Sequence, residues 1–422
     1  MASIINKFLK VSMLSVVTIS SLNASDELGF NLGNGWKASS EVRALYNNVD
    51  YTSGTNNYHG VYTSAKASIL TPTYNGFSAK MTLGGVTDFG INTHNLNDGS
   101  NFVFDGTENK SFGILQELYI SYKNDSHSLS IGRQEFSTPL IDADDYYIFA
   151  NSFEVVNYTN TALENFAFHL GYFHKMSGVW DSGANGTEFH SMSDSSFVDA
   201  RDKKNANDSG VFYGGMDFSK DSHSAKLWNY YAKDLYNIVL AEYAFSSKID
   251  SLSYDVGVQI TDYKEVGSLA SHNFTDIDYT VFAFKFDAQL DNGLDFSTGI
   301  TKFTNGKGQG ATQGAWGGFA GYTGGFIFGI FEMGSLQDSV SAKAQVGFDL
   351  GKIGLNNTWI GYRYNYYNLD SKVSNGQESM QTNGVQIAYD SSHYSLCATF
   401  ENRALDNESD ANAVRLLASY KF

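Results

Sequence analysis

The chain is predicted to be all-β, a transmembrane antiparallel β-barrel of about 18 strands with short turns at one rim and long loops at the other. Three features predict it: side chains alternate apolar and polar along nearly the whole sequence, the alternating segments run to about 9–12 residues, and the connections between them alternate short and long.

The alternation is plainest at 340–350. Val340, Ala342, Ala344, Val346, Phe348 and Leu350 interleave with Ser341, Lys343, Gln345, Gly347 and Asp349. Near the start Trp36, Ala38, Val42, Ala44 and Tyr46 interleave with Lys37, Ser39, Glu41 and Arg43; at the end Val414, Leu416, Ala418, Tyr420 and Phe422 interleave with Arg415, Ser419 and Lys421. Successive strand side chains point to opposite faces, so period two makes one apolar face and one polar face.

Segment length indicates what covers the apolar face. A strand tilted ~45° across a ~25 Å hydrocarbon band needs about 10 residues, whereas strands of soluble domains average about 5–6. The expected short connections are 71–76, 123–127, 161–165, 220–224, 246–250, 291–293, 351–354 and 390–393. The expected long ones are roughly 48–58, 88–111, 134–152, 176–209, 264–276, 304–338, 368–380 and 405–411, with a brief ninth near 233–236. Loops sorted by parity mark a barrel that crosses a membrane and returns. Only a closed sheet pairs every strand's backbone groups in hydrocarbon.

Composition agrees. Glycine is abundant (41), proline nearly absent (2), and tyrosine plus phenylalanine number 58. Proline cannot donate to a ladder, and aromatics favour pleated surfaces. Residues 1–24 read as a signal peptide, with Lys7 and Lys10 before an apolar stretch from Val11 to Leu22 and then Leu22-Asn23-Ala24. Residues 25–422 are then the barrel domain. Without the two lysines of the leader the chain has 26 basic and 45 acidic residues, a net charge of −19, which argues against nucleic acid as a partner. A single cysteine, Cys397, rules out an intramolecular disulfide framework. Export and a closed barrel together place the chain in the outer membrane of a Gram-negative cell, in contact with lipid and lipopolysaccharide.

Three stretches resemble the OprD-type outer-membrane porins, including the epsilon-proteobacterial major outer-membrane porins. They are Leu118-Tyr119-Ile120-Ser121-Tyr122 followed by Gly132-Arg133-Gln134-Glu135-Phe136-Ser137-Thr138-Pro139; Trp228-Asn229-Tyr230 with Asp234-Leu235-Tyr236; and the C-terminal strand from Val414 to Phe422. The resemblance implies a water-filled channel for ions and small hydrophilic solutes, or a selective one for small carboxylates or amino acids. It also implies a third loop folded into the pore, here about 135–152, carrying Glu135, Asp142, Asp144 and Asp145. Related porins often form trimers, so a homotrimer is the expected assembly. Tyr420 and Phe422 resemble the terminal signal read by the barrel-assembly machinery.

The lumen-facing phase selects a basic wall of Arg43, Lys66, Lys80, Lys285, Lys343, Arg363, Arg403 and Arg415. Lipid-facing placement would cost about 2–4 kcal/mol each near the midplane. Arg133 falls in the outward phase of Leu129 and Ile131 unless a bulge re-aims it. Six arginines in the whole chain are few for a strong carboxylate ladder, and the net acidity predicts a mild cation preference. The segment Gly314–Gly325 is suited to fold over the mouth or into the lumen.

An outer-membrane hydrolase and a surface adhesin are the rival readings. The nine histidines (59, 94, 127, 169, 174, 190, 223, 272 and 393) read mostly as loop or turn residues, and no nucleophile motif surrounds any serine. No catalytic residue and no cofactor are expected. Calcium at Asp142, Asp144 and Asp145 is the weaker reading beside a solvated acidic loop, since the spacing is not that of a calcium-binding loop.

Overall fold

A computed structural model describes residues 29–52, 57–92, 111–143, 148–178, 188–194, 210–267, 278–304, 316–328, 338–372, 376–407 and 410–422. The leader 1–24, Asp144, Asp145, His94 and His272 lie outside the described residues.

Among the described residues there are twenty strands: β1 Phe30–Gly33, β2 Trp36–Tyr51, β3 Tyr58–Leu70, β4 Phe77–Thr87, β5 Phe112–Lys123, β6 His127–Gln134, β7 Ser152–Asn160, β8 Phe166–Ser177, β9 His190–Ser191, β10 Val211–Lys220, β11 His223–Ala232, β12 Tyr236–Ile249, β13 Leu252–Glu265, β14 Asp278–Leu290, β15 Leu294–Phe303, β16 Val340–Asp349, β17 Thr358–Asn368, β18 Ser379–Asp390, β19 Tyr394–Leu405 and β20 Ala411–Lys421. Eighteen of them, β2–β8 and β10–β20, pair antiparallel with their sequence neighbours, and β20 pairs with β2 from Glu41↔Lys421 to Tyr51↔Ala411. That last pairing closes the sheet, so neither end strand is left as a bare edge.

Strand lengths and loop parity follow the predicted pattern. Eight short turns gather at the rim that also holds both ends of the barrel, and nine loops occupy the other. The turns close through residues in the left-handed region, among them Asn75, Gly76, Asn165, Asp221 and Gly293, where glycine, asparagine and aspartate are least strained. The turn expected at 351–354 runs on to 357 before β17 starts at Thr358, and another turn lies later than expected. Ser246 and Ser247 continue β12, paired with Asp255 and Tyr254, and the reversal falls after Ile249 with Asp250 at φ 51°. The serines read as turn residues because of their composition; Ser246 Oγ instead donates to Asp255 Oδ2 at 2.8 Å across the strand pair.

Burial is inverted relative to a soluble protein. Each barrel strand presents at least one large apolar side chain on the outside: Ile131 on β6, Leu170 on β8, Phe212 on β10, Ile260 on β13, Ile300 on β15 and Phe400 on β19 are all exposed. The buried set is rich in Glu41, Glu117, Glu242, Asp255, Asp287, Glu401, Lys226, Lys285, Lys343 and Arg415. An apolar belt outside and a charged wall inside suit a sheet with hydrocarbon around it and water within.

Candidate pore constriction

Among the described residues, long segments of two loops fold into the barrel. The third, described over 135–143 and 148–151, leaves β6 with apolar residues that have no place in an external loop, and Leu140, Ile141, Ile148 and Phe149 are buried. They pack in one cluster with an aromatic wall of Phe173 on β8, Tyr213 on β10, and Trp228 and Tyr230 on β11. Tyr230 OH donates to Thr138 Oγ1 at 3.0 Å and accepts from Leu140 N at 3.3 Å. Across the lumen, Ser64 Oγ on β3 donates to Ile148 O at 2.9 Å, and the Phe149 ring lies on Gly84 of β4, where a Cβ would sit 2.6 Å from it. The loop therefore bridges β11 to β3 and β4. Burial of each aliphatic side chain contributes about 1.5–3 kcal/mol, enough to hold the bridge.

The second is residues 316–328 of the seventh loop, which contain the described part of the segment Gly314–Gly325; Gly314 and Ala315 lie outside the described residues. Residues 316–328 enter the lumen. Asp142 N donates to Trp316 O at 2.9 Å, Ile141 bridges to Gly317, and Trp316 Nε1 donates to Met192 O at 2.9 Å. The glycines permit this contact: Gly317 has φ +87°, and a Cβ on Gly318 would lie 2.4 Å from the Leu140 backbone. From there the segment follows the inner wall. Gly321 N donates to Gln259 Oε1 on β13 at 2.8 Å, and Tyr322 OH donates to Glu242 Oε2 on β12 at 2.8 Å. Tyr367 OH on β17 donates to Thr323 O at 2.7 Å. Arg363 Nη1 on β17 donates to Gly324 O and Gly325 O at 3.1 and 3.0 Å, and the guanidinium stacks 4.0 Å over Phe326. Glu401 on β19 accepts from three successive amides, Phe326 N, Ile327 N and Phe328 N, at 3.0, 2.5 and 2.7 Å.

All eight cations of the expected basic wall lie on barrel strands with their side chains to the interior, and acids partner many of them. Lys66 reaches Glu135 at 2.9 Å and Glu41 at 3.3 Å, and Arg43 reaches Glu41 at 3.1 Å. Lys80 meets Glu117 at 2.7 Å, and Lys285 meets Asp255 at 2.8 Å and Asp287 at 3.3 Å. Arg363 binds loop carbonyls as above, and Arg403 faces the rings of Phe328 and Tyr51 at 5.3 and 5.6 Å. Lys343 and Arg415 are buried on β16 and β20. Glu41, Glu117, Glu242, Asp255, Asp287 and Glu401 were not singled out in the sequence, nor was Lys226, 3.5 Å from Glu242. The same inward phase marks them in the sequence.

Of the acids expected in the third loop, Glu135 faces Lys66 and also accepts from Gln116 Nε2 at 2.8 Å, while Asp142 accepts from Ser137 Oγ. The calcium reading rests on Asp144 and Asp145, outside the described residues, with Asp142.

The motif residues separate by role. Gly132 has φ +130°, and a Cβ there would lie 2.2 Å from Leu118 O. Pro139 sits in the inward loop beside Leu140. Arg133 keeps the outward phase: its Nη2 lies 3.0 Å from Glu154 Oε1, and its guanidinium stacks 4.2 Å over Phe189. Trp228 stacks on His169 at 4.9 Å and donates Nε1 to Asp217 Oδ1 at 2.8 Å. Asp234 turns the briefest loop at φ 60°, and Tyr236 packs against Trp316 at 6.2 Å. Tyr420 and Phe422 meet edge to face at 4.3 Å, and Phe422 N donates to Ser40 O at 2.9 Å.

The histidines depart from the loop expectation. His59, His127, His169, His174, His190 and His223 sit on strands, several at strand ends where the sequence shows turn-like neighbours. His169 points inward, with Nδ1 3.2 Å from Thr159 Oγ1 and Nε2 3.4 Å from Asp217 Oδ2.

No family model matches the sequence, and no curated protein matches it. Solved structures do match. Pseudomonas aeruginosa OpdK, crystallised with vanillate, is 15% identical with a TM-score of 0.70 over 92% of this chain and 98% of its own. Acinetobacter baumannii OccAB4 is 13% identical with a TM-score of 0.74 over 92% and 98%. A BenF-like porin from Pseudomonas fluorescens Pf-5 is 15% identical with a TM-score of 0.72 over 92% and 99%. The chain has the OprD-type porin fold.

Proposed function

We propose that the protein is an outer-membrane porin, a water-filled channel through which ions and small hydrophilic solutes diffuse, with a mild preference for cations. The observation that carries this reading is the inverted wall: apolar side chains outside on all eighteen barrel strands, and charged ones inside around two inward loops. Such a channel performs no bond chemistry. It selects by the width of its constriction and by the fixed charges that solutes pass. Because acids in the wall offset many of the cations, the lumen is a mixed-charge surface rather than a ladder of free positive charge, which favours the general channel over the carboxylate-selective one. Outer-membrane lipid, lipopolysaccharide, a homotrimeric assembly and the assembly machinery acting on Tyr420 and Phe422 belong to the same reading.

Planar-bilayer recording of the purified protein, with liposome swelling in a series of sugars, amino acids and carboxylates, tests it. Stepwise conductance and a swelling rate that falls with solute size are expected. A folded protein that passes no current contradicts the proposal.

A further inference from the structure

The charged residues of the β17–β19 wall face the seventh loop, and their geometry indicates what they do there. Glu401 is fully buried, and its carboxylate gathers the amides of Phe326, Ile327 and Phe328. Three consecutive amides converging on one carboxylate form a concave anion nest. Two strands away, Arg363 takes the carbonyls that immediately precede these amides, at Gly324 and Gly325, and Tyr367 takes that of Thr323. The wall thus grips six successive residues by their backbone, an acceptor for the donors and donors for the acceptors. Backbone grip does not depend on the loop's side chains, apart from the need for a bare one at Gly325, where a Cβ would lie 2.7 Å from Glu401 Oε1 and 2.2 Å from Phe328 O.

We propose that Glu401 is a positioning residue for the constriction: its carboxylate, with Arg363 and Tyr367, pins residues 323–328 against the wall and thereby sets the free cross-section and the steadiness of the pore. The proposal rests on the porin reading. It assigns Arg363 to the loop rather than to the solute. Release of this end frees residues 323–328 back to the next wall contacts, at Gly321 and Tyr322.

Two variants test it from opposite sides. Glu401→Gln keeps the shape but replaces one acceptor oxygen by an NH₂ group facing an amide donor. Gly325→Ala leaves Glu401 intact and pushes the loop away from it. Both are compared with the wild type in planar bilayers and sugar-swelling assays, after heat-modifiable migration on gels shows a folded barrel. Both are expected to show altered unitary conductance, more frequent current fluctuation and an upward shift in the size of sugar admitted. Folded variants with wild-type conductance, noise and sugar limit overturn the inference. A wild type that passes no current overturns the porin reading itself, so the two failures are distinguishable.

Discussion

At the residue scale, the inward or outward phase of a side chain decides which medium it meets, and single substitutions read that phase directly. Cys397 on β19 shares the inward phase of Thr399 and Glu401, with Sγ 3.7 Å from Thr399 Oγ1, and it is the one cysteine of the chain. A charged, water-soluble thiol reagent is expected to reach it from the lumen and lower the conductance, and Cys397→Ser is expected to abolish the effect. Labelling by lipid-soluble maleimides alone places Cys397 in the bilayer and contradicts the phase. On the outer face, Leu170 of β8 is exposed. Leu170→Lys is expected to cost about 2–4 kcal/mol if the site is near the midplane, measured by urea unfolding in lipid vesicles. An unchanged midpoint says that no hydrocarbon lies there. Phase was legible in the sequence because a two-residue period is local: Lys66, Lys285 and Arg363 were placed inside from their neighbours alone. Their partners were not. Glu135 lies 69 positions from Lys66, and Glu401 lies 73 positions beyond the Phe328 amide it binds, so the ring closure and the path of two loops had to be known first.

At the scale of elements, most turns and loops were legible because glycine, asparagine and aspartate mark reversals and because barrel connections alternate in length. The exception at 246–250 shows the limit, since serines serve a turn or an inward wall equally well. The inward course of 316–328 was undecided in sequence for a similar reason. Glycine reports close packing without naming the surface, and here the surface is the third loop and the Glu401 wall. The short strand β1 was not anticipated. β20 ends opposite Glu41, so the stretch of β2 from Trp36 to Ser40 lacks a β20 partner, and β1 folds back along it with Phe30 opposite Ala38 and Asn31 opposite Lys37. This extends the seam by continuing the line of the last strand. Removing residues 25–33 exposes the β2 edge and loses the ladder bonds, each worth about 0.5–1.5 kcal/mol net. The truncated barrel is expected to lose its heat-modifiable form at a lower temperature while keeping its unitary conductance, because the hairpin lies at the short-turn rim. A wild-type melting profile contradicts the seam role.

For the whole molecule, charge and closure act together. The chain carries a net charge of −17, yet the lumen sector of β2–β5 is close to balanced: Glu41, Glu117 and Glu135 face Arg43, Lys66 and Lys80. Net acidity favours cations around the protein, and the balanced β2–β5 sector adds little bias of its own, which is why the expected preference is mild. The balance also makes the interior the sensitive place to perturb. Replacing Glu41 and Glu117 together by glutamine keeps the side-chain volumes but leaves Arg43, Lys66 and Lys80 opposed by Glu135 alone. Measured as the reversal potential in a KCl gradient, the wild type is expected to favour K⁺ slightly and the double variant to shift toward Cl⁻. Screening fixes how the shift depends on salt. With a Debye length of about 10 Å at 0.1 M and about 3 Å at 1 M, the net-charge contribution fades in concentrated KCl, while the charges inside the constriction keep acting on ions that pass within a few ångströms. The difference between wild type and variant therefore persists at high salt even as the wild-type preference declines toward neutrality. A variant whose selectivity matches the wild type at every salt concentration means that permeating ions do not pass the β2–β5 wall, and the conducting path then lies elsewhere in the barrel.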